Sequence, residues 1–347
     1  MGVLNVPIRQ IIKVHYGKAL KQGDRVETGI YEVFGSSGCI GHHDEALVGY
    51  PTLVVGRKGS VGEIIWAPNG GWVIDTAFYV ELLEHNSVDL RYLFYALKIA
   101  NLGQKKITTS IPGLNRDDFY NTEIPLPPLA EQKRIAAILD KADALRRKRQ
   151  QAIELADQFL RSVFLDMFGD PVTNPKGFDK APLGDLIKVS SGNGLTAKDM
   201  AANGVHPVFG GNGINGYHDE YMFDKPKIVI GRVGAYCGVV HVTQPKSWVT
   251  DNALYVKESV GELQDSYLEH ALKIANLNQY ASQAGQPLIS GSRIYPVEIL
   301  LPPYGLQEKF QMLKRKSEKI HDELLSTKQV AENLFCSLSQ KAFTGVL

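Results

Sequence analysis

Residues 33–45 read VFGSSGCIGHHDE, and residues 208–220 read VFGGNGINGYHDE. The stretches lie 175 positions apart, and the same shift lays YLFYALKIANL at 92–102 on YLEHALKIANL at 267–277. Between them GRKGSVG at 56–62 meets GRVGAYCG at 231–238 through one inserted residue, after which Trp72, Asp75 and Tyr79 meet Trp248, Asp251 and Tyr255. The insertion is absorbed before residue 92. LPP at 126–128 then meets LPP at 301–303, and Gln132 meets Gln307. Two such periods nearly exhaust the 347 residues, so the chain is one unit written twice. Two long units are too few and too large to stack as a solenoid.

Each unit divides by composition. Its first part, roughly 1–128 and 170–303, is rich in Gly and short apolar runs such as TLVVG at 52–56 and KIVIG at 227–231, bounded by turn residues. This predicts a mixed domain of β-sheet with short helices, one of them amphipathic near 89–102 and 264–277. The remainder, 129–168 and 304–343, contains no Gly or Pro except Gly305. It reads as one long helix per unit, entered after a Pro-Pro pair and, in the first, left at Gly169 before Asp170-Pro171. The fold class is therefore α+β: two similar domains separated by two long helices. The domain limits expected are 1–128, 129–169, 170–303 and 304–347.

Steps of three and four from Ile135 give Ile138, Ala142, Leu145, Arg149, Ala152, Ala156, Phe159 and Val163. The twin stripe is Phe310, Leu313, Ser317, Ile320, Leu324, Thr327, Ala331, Leu334 and Leu338. A helix of this length reaches about 60 Å at about 1.5 Å per residue, more than one small domain covers, and an amphipathic rod needs a partner. Duplication makes the other rod the simplest partner, packed antiparallel as a coiled coil about a pseudo-twofold axis.

Composition narrows the function. With 44% hydrophobic and 22% charged residues, the chain belongs with folded globular proteins, not with disordered, collagenous or membrane classes. No run approaches 18 apolar residues and MGVLNVPIRQ lacks a basic-then-apolar leader, so the expected compartment is the cytoplasm. Cys39, Cys237 and Cys336 are too scattered for a disulfide framework and read as reduced packing residues. A net charge of +1 exerts no overall pull on nucleic acid, so any such contact must come from cations gathered on one face.

The order of motifs resembles a known family. LPPLAEQKRI at 126–135 leads into a long helix. MFGDP at 167–171 and NPKG at 174–177 follow, then a second globular module and a second helix. This arrangement is similar to the specificity subunit of type I restriction-modification systems, and GRKGSVG with the WVxDxAxY pattern at 72–79 and 248–255 matches that family's target-recognition domains. The resemblance implies a DNA-reading subunit without catalysis of its own. Each recognition domain would read one half of a bipartite duplex target, and the paired helices would set the spacer. Two methyltransferase subunits, with or without nuclease-translocase restriction subunits, would dock on the assembly. The second copy departs at LPPYGLQEKF, 301–310, where LxEQ has become GLQE.

Candidate DNA contacts follow from residue chemistry. Arg57 and Arg232 sit in Gly-flanked turns directly after apolar strands, where small neighbours admit a close approach and a guanidinium can fork onto phosphate or guanine. Their shared position favours phosphate over base choice. Lys58, Ser60 and Tyr236 ride on the same turns. Lys105, Thr108, Thr109, Ser110, Asn115 and Arg116 in the first unit, and Gln286, Ser290, Ser292 and Arg293 in the second, mix cations with hydroxyl and amide groups as groove reading requires. These segments differ between the copies, so an asymmetric target is expected. Lys198 is a further phosphate candidate.

Other chemistries find little support. His43-Asp44-Glu45 and His218-Asp219-Glu220 offer one imidazole and adjacent carboxylates on a turn, short of a metal site. GNGING at 211–216 spells GxGxxG, but YHDE follows where a nucleotide fingerprint needs a helix. No catalytic residue, metal or cofactor is expected. The rival reading is a two-headed adaptor binding protein, not DNA, with the helices as spacer. Binding to duplex that falls steeply with salt separates the two.

Overall fold

The computed structural model describes residues 4–84, 87–105, 113–282 and 285–344, with the side chains of residues 104 and 105 excepted. The chain forms two compact units, Met1–Gln150 with Ser326–Leu347, and Gln151–Leu325.

In the first unit the elements run β1 (Asn5–Pro7), β2 (Ile12–Tyr16), β3 (Tyr31–Gly35), β4 (Gly38–His43), β5 (Thr52–Gly56), β6 (Ile64–Ala67), β7 (Trp72–Val73) and β8 (Ala77–Leu82). Helices α1 (Leu90–Ile99) and α2 (Arg116–Tyr120), strand β9 (Glu123–Pro125) and the helix α3 (Leu129–Phe168) follow. A four-stranded sheet of order β2-β8-β5-β6, antiparallel throughout, is joined by a three-stranded sheet β4-β3-β7 and a β1-β9 pair. Strand β5 is buried along its whole length because both of its faces are covered. Leu53 and Val55 point into the core built on Tyr92, Leu93 and Leu97 of α1, while Val54 joins Phe34, Val73 and Ala77 on the other face. That alternation is the period-two signature of a strand between two layers.

The second unit repeats this with β10 (Asp179–Pro182), α4 (Leu183–Leu186), β11 (Ile187–Ser191), β12 (His206–Gly210), β13 (Gly213–His218), β14 (Ile228–Gly231), β15 (Val240–Val242), β16 (Trp248–Val249) and β17 (Ala253–Ser259). After these come α5 (Asp265–Ile274), α6 (Gly291–Ile294), β18 (Glu298–Leu301) and α7 (Tyr304–Phe343). Strand orders match one for one: β11-β17-β14-β15, β13-β12-β16 and β10-β18. Even the register irregularity recurs, at Val33/Phe34 and at Val208/Phe209. GNGING lies in the β12-β13 hairpin, with Gly213 at a φ of 91° that favours glycine.

Each long helix is shared. Residues 129–150 of α3 and 326–343 of α7 belong to the first unit, and the rest of both to the second. The helices run antiparallel in each. In the first, Ile135 and Leu139 share a core with Ala342, while Arg146 meets Glu332 at 3.6 Å and lies over the Phe335 ring. In the second, Asp157 pairs with His321 at 3.3 Å and Phe164 packs edge-on to Phe310. Phe343 seats on Tyr92, and in the other unit its counterpart Phe168 seats on Tyr267.

The seam differs from the expected stripe by one residue at alternate steps. Ile135, Ala142, Phe310, Ser317 and Ala331 are buried as expected, but Leu145, Phe159, Leu313, Ile320 and Leu334 are exposed. Their places are taken by Leu139, Arg146, Ile153 and Leu160 on α3 and by Lys314, His321, Lys328 and Phe335 on α7, all buried or half-buried. Long cationic stems pack along the seam while their heads find acids, so apolarity alone misplaces the face.

Gln132 and Gln307 anchor the helix starts identically. Gln132 is fully buried; its amide donates to Pro127 O and Ser87 O and its carbonyl accepts from Asp89 N at 2.9 Å. Gln307 does the same with Pro302 O, Glu262 O and Gln264 N. Replacing LxEQ by GLQE thus keeps the glutamine that ties the long helix to the loop entering α1 or α5. The helix seats differ above that point. In the first unit Asp140 accepts from Arg91 and Tyr95; in the second, buried Glu269 takes Lys273 and Lys314, both at 2.6 Å, beside His270.

Cys237 is buried, whereas Cys39 and Cys336 are exposed and do not serve as packing residues. His43 and His218 lie edge-on to Trp72 and Trp248. Among the described residues no cluster has the make-up of a metal site, and no helix is long and apolar enough to cross a membrane.

Candidate nucleic-acid interface

A glycine closes each candidate turn. A Cβ on Gly56 would stand 2.0 Å from the Ser60 carbonyl oxygen, and one on Gly231 2.0 Å from that of Tyr236, so only glycine lets the chain double back here. Gly62 N donates to Gly56 O, and Gly238 N to Gly231 O, both at 2.8 Å. The next residue is the arginine. Arg57 N and Lys58 N both donate to Thr76 O at 3.0 Å, and the Arg57 guanidinium donates to Asp75 O at 3.1 Å. Arg232 repeats this with Asn252 O and Asp251 O. The aspartates of the repeated WVxDxAxY pattern therefore act through their carbonyls. Its tryptophans tie in a neighbouring loop, Trp72 Nε1 donating to Lys18 O and Trp248 Nε1 to Asn193 O.

The second candidate segment lies against this turn in each unit. Leu114 N donates to Arg57 O at 2.9 Å beside a Lys58–Gly113 bridge; Ile289 N donates to Arg232 O at 2.8 Å beside a Val233–Leu288 bridge. Arg57, Lys58, Ser60, Asn115 and Arg116 thus gather in one region of the first unit. Asn115 caps α2, its side chain accepting from Asp117 N at 2.8 Å, and Arg116 is exposed. In the second unit Arg232 and Tyr236 adjoin Gln286, Ser290, Ser292 and Arg293. Gly234 N donates to Pro287 O, and the hydroxyls of Ser290 and Ser292 share a hydrogen bond of 2.9 Å. Cys237 packs beneath, its thiol pushed up by burial and donating to Arg232 O.

Lys198 lies elsewhere, exposed in a turn that Thr196 and Asp199 close at 2.6 Å. Lys105 ends a short helical turn, Leu102–Lys105, and Thr108, Thr109 and Ser110 fall outside the described residues.

Charge sets these turns apart from ordinary surface. No ion pair joins Arg57, Arg116 or Arg232 to a carboxylate among the described residues. Arg232 Nε is buried without a hydrogen-bond partner. Sequence reasoning missed Tyr16, whose ring lies 4.9 Å from the Arg57 guanidinium and 5.5 Å from that of Arg116. Its signal was an aromatic residue ending a strand whose twin position carries Ser191, a difference that a search for shared residues passes over.

The family model described as the type I restriction modification DNA specificity domain matches twice, at residues 2–155 and 175–323. The chain belongs to the type I restriction-modification DNA specificity family. Among relatives of this specificity family, the EcoprrI specificity subunit of Escherichia coli is 27% identical over 307 residues, covering 80% of this chain and 74% of that protein. The MjaVIII specificity subunit of Methanocaldococcus jannaschii is 31% identical over 168 residues, 44% of this chain and 39% of its own length. A type I restriction-modification S subunit from M. genitalium superposes with a TM-score of 0.72 at 19% identity, covering 98% of this chain and 96% of that one. The shared fold of the specificity family, two domains of sheet and short helix with long helices, is thus the fold of this chain.

Proposed function

We propose that each unit reads one half of a bipartite duplex DNA target, with Arg57 and Arg232 as matched phosphate-positioning residues and segments 108–116 and 286–293 choosing bases. The carrying observation is the pair of matching turns, each holding an arginine on the carbonyl of the repeated aspartate with no carboxylate paired to it among the described residues. An arginine hung on a backbone carbonyl keeps N–H groups for a phosphate, and an arginine at the same place in both units suits a contact that carries no sequence information. The neighbouring segments differ in sequence, Asn115-Arg116 against Ser290-Gly291, as two different half-sites require.

In this reading the chain performs no catalysis and positions separate methyltransferase subunits, with or without restriction subunits. Leu145, Phe159, Ile320 and Leu334, exposed beside the helix seam, support docking of such partners along the helices. Duplex binding by Arg57→Ala and Arg232→Ala, followed by fluorescence anisotropy over a salt series, tests the reading. Each variant should weaken binding on all sequences and lower the salt slope by about one. Substitutions at Asn115 or Ser292 should alter one half-site alone. Wild-type affinity in Arg57→Ala would sink the turn assignment, and salt-independent binding to protein alone would favour the adaptor.

A further inference from the structure

One cluster in the first unit has no counterpart among the described residues of the second. Tyr16 ends β2, is 48% exposed, and stands edge-on to Phe78 at 5.0 Å. Its ring receives two guanidiniums, Arg57 at 4.9 Å and Arg116 at 5.5 Å from the centroid. The duplication places Ser191 where Tyr16 stands, Leu254 where Phe78 stands and Gly291 where Arg116 stands. There Arg232 turns its guanidinium inward, the same nitrogen donating to Ser191 Oγ at 3.2 Å and to Asp251 O at 3.3 Å.

We propose that Tyr16 is a positioning residue that aims Arg57 and Arg116 together at one backbone phosphate of duplex DNA, a clamp built into the first unit and absent from the second. The ring's electron-rich face attracts both cations and so gathers two like charges. No carboxylate relieves their repulsion among the described residues, so the missing charge is an incoming anion. Two guanidinium forks match the oxygens of a phosphodiester better than any single base edge. In the second unit no aromatic ring pairs Arg232 with another arginine among the described residues, and its guanidinium is held by Ser191 as well as by the Asp251 carbonyl, so the two halves of the target differ in how much of their affinity comes from phosphate. This rests on the reading of both units as DNA-binding.

The test uses the full chain and a fluorescein-labelled duplex of random sequence, with affinity measured from about 50 to about 200 mM salt. Tyr16→Ser and Arg116→Gln should each lower the slope of log affinity against log salt by about one. Tyr16→Phe, which keeps the ring, should retain the wild-type slope, and the double variant should lose less than the two single losses combined. A wild-type slope in Arg116→Gln, a loss in Tyr16→Phe equal to that in Tyr16→Ser, or strict additivity would each overturn the clamp. Should Tyr16→Ser fail to fold, Arg116→Gln and Tyr16→Phe decide the matter. Salt-independent binding by the wild-type chain would bring down the DNA reading itself, a result distinct from loss of the clamp alone.

Discussion

At the scale of single residues, the repeated helix YLFYALKIANL differs between the copies at two adjacent positions, and the change reaches the long helix packed on it. Position 95 is tyrosine and its twin is His270; position 94 is phenylalanine and its twin is Glu269. Burial is the largest influence on His270 and holds it neutral, with a pKa lowered to about 4; Lys273 and Lys314 push the same way against Glu269. Burial raises Glu269, but Lys273 and Lys314 outweigh it and leave its carboxyl below the usual range. Both groups titrate lower folded than unfolded, so their stabilisation is complete at neutral pH and fades on acidification. His270 begins to lose its share below the ordinary histidine value of 6.5, and Glu269 joins only in the carboxylate range. Amide hydrogen exchange, corrected for intrinsic rates, should show α5 losing protection between pH 6.5 and 4 before α1 does; His270→Phe should flatten that trend. Equal loss in α1 and α5 would contradict it. None of this was legible in the sequence, because a pair of charged residues on an amphipathic helix reads as solvated face until the partner Lys314, 45 positions beyond Glu269, is brought against it.

At the scale of elements, the long helices were readable from the absence of Gly and Pro, and the strands from short apolar runs between turns. The face they present was not. An apolar count favours Leu145, Phe159 and Ile320, whereas the chain half-buries Arg146, Leu160 and His321 one position on. The heptad survives intact; only the choice between adjacent positions changes, and that choice depends on acids such as Asp143 and Glu332 that neutralise Arg146 from another turn or another helix. Stability measurements should separate the two faces. Ile153→Ser removes a buried side chain and should cost about 2–4 kcal/mol in denaturant unfolding, whereas Phe159→Ser, on the exposed side, should stay within about 0.5 kcal/mol. Comparable losses at both positions would mean the exposed face is packed after all. The candidate turns were legible for the same reason as the strands: glycines mark where a chain must double back.

At the scale of the whole molecule, the duplication itself carried the reading, since every strand order in one unit is repeated in the other. If the helices act as a spacer, their length and the unread stretch of the target are linked. Excising one heptad from each helix, residues 151–157 and 321–327, removes about 10 Å of rod, or about three base pairs at about 3.4 Å each. Methylome sequencing of cells carrying the shortened chain should report the same half-sites with a correspondingly shorter gap; the original gap would refute the spacer role. Phe343 on Tyr92 carries a further consequence for synthesis. The domain that leaves the ribosome first lacks residues 326–343 of its own core until the second copy has been made, so its cooperative folding waits for α7 to be translated. A nascent chain stalled between the two copies should expose the apolar groove around Tyr92 and Tyr95 to chaperones, and the final helix should release it.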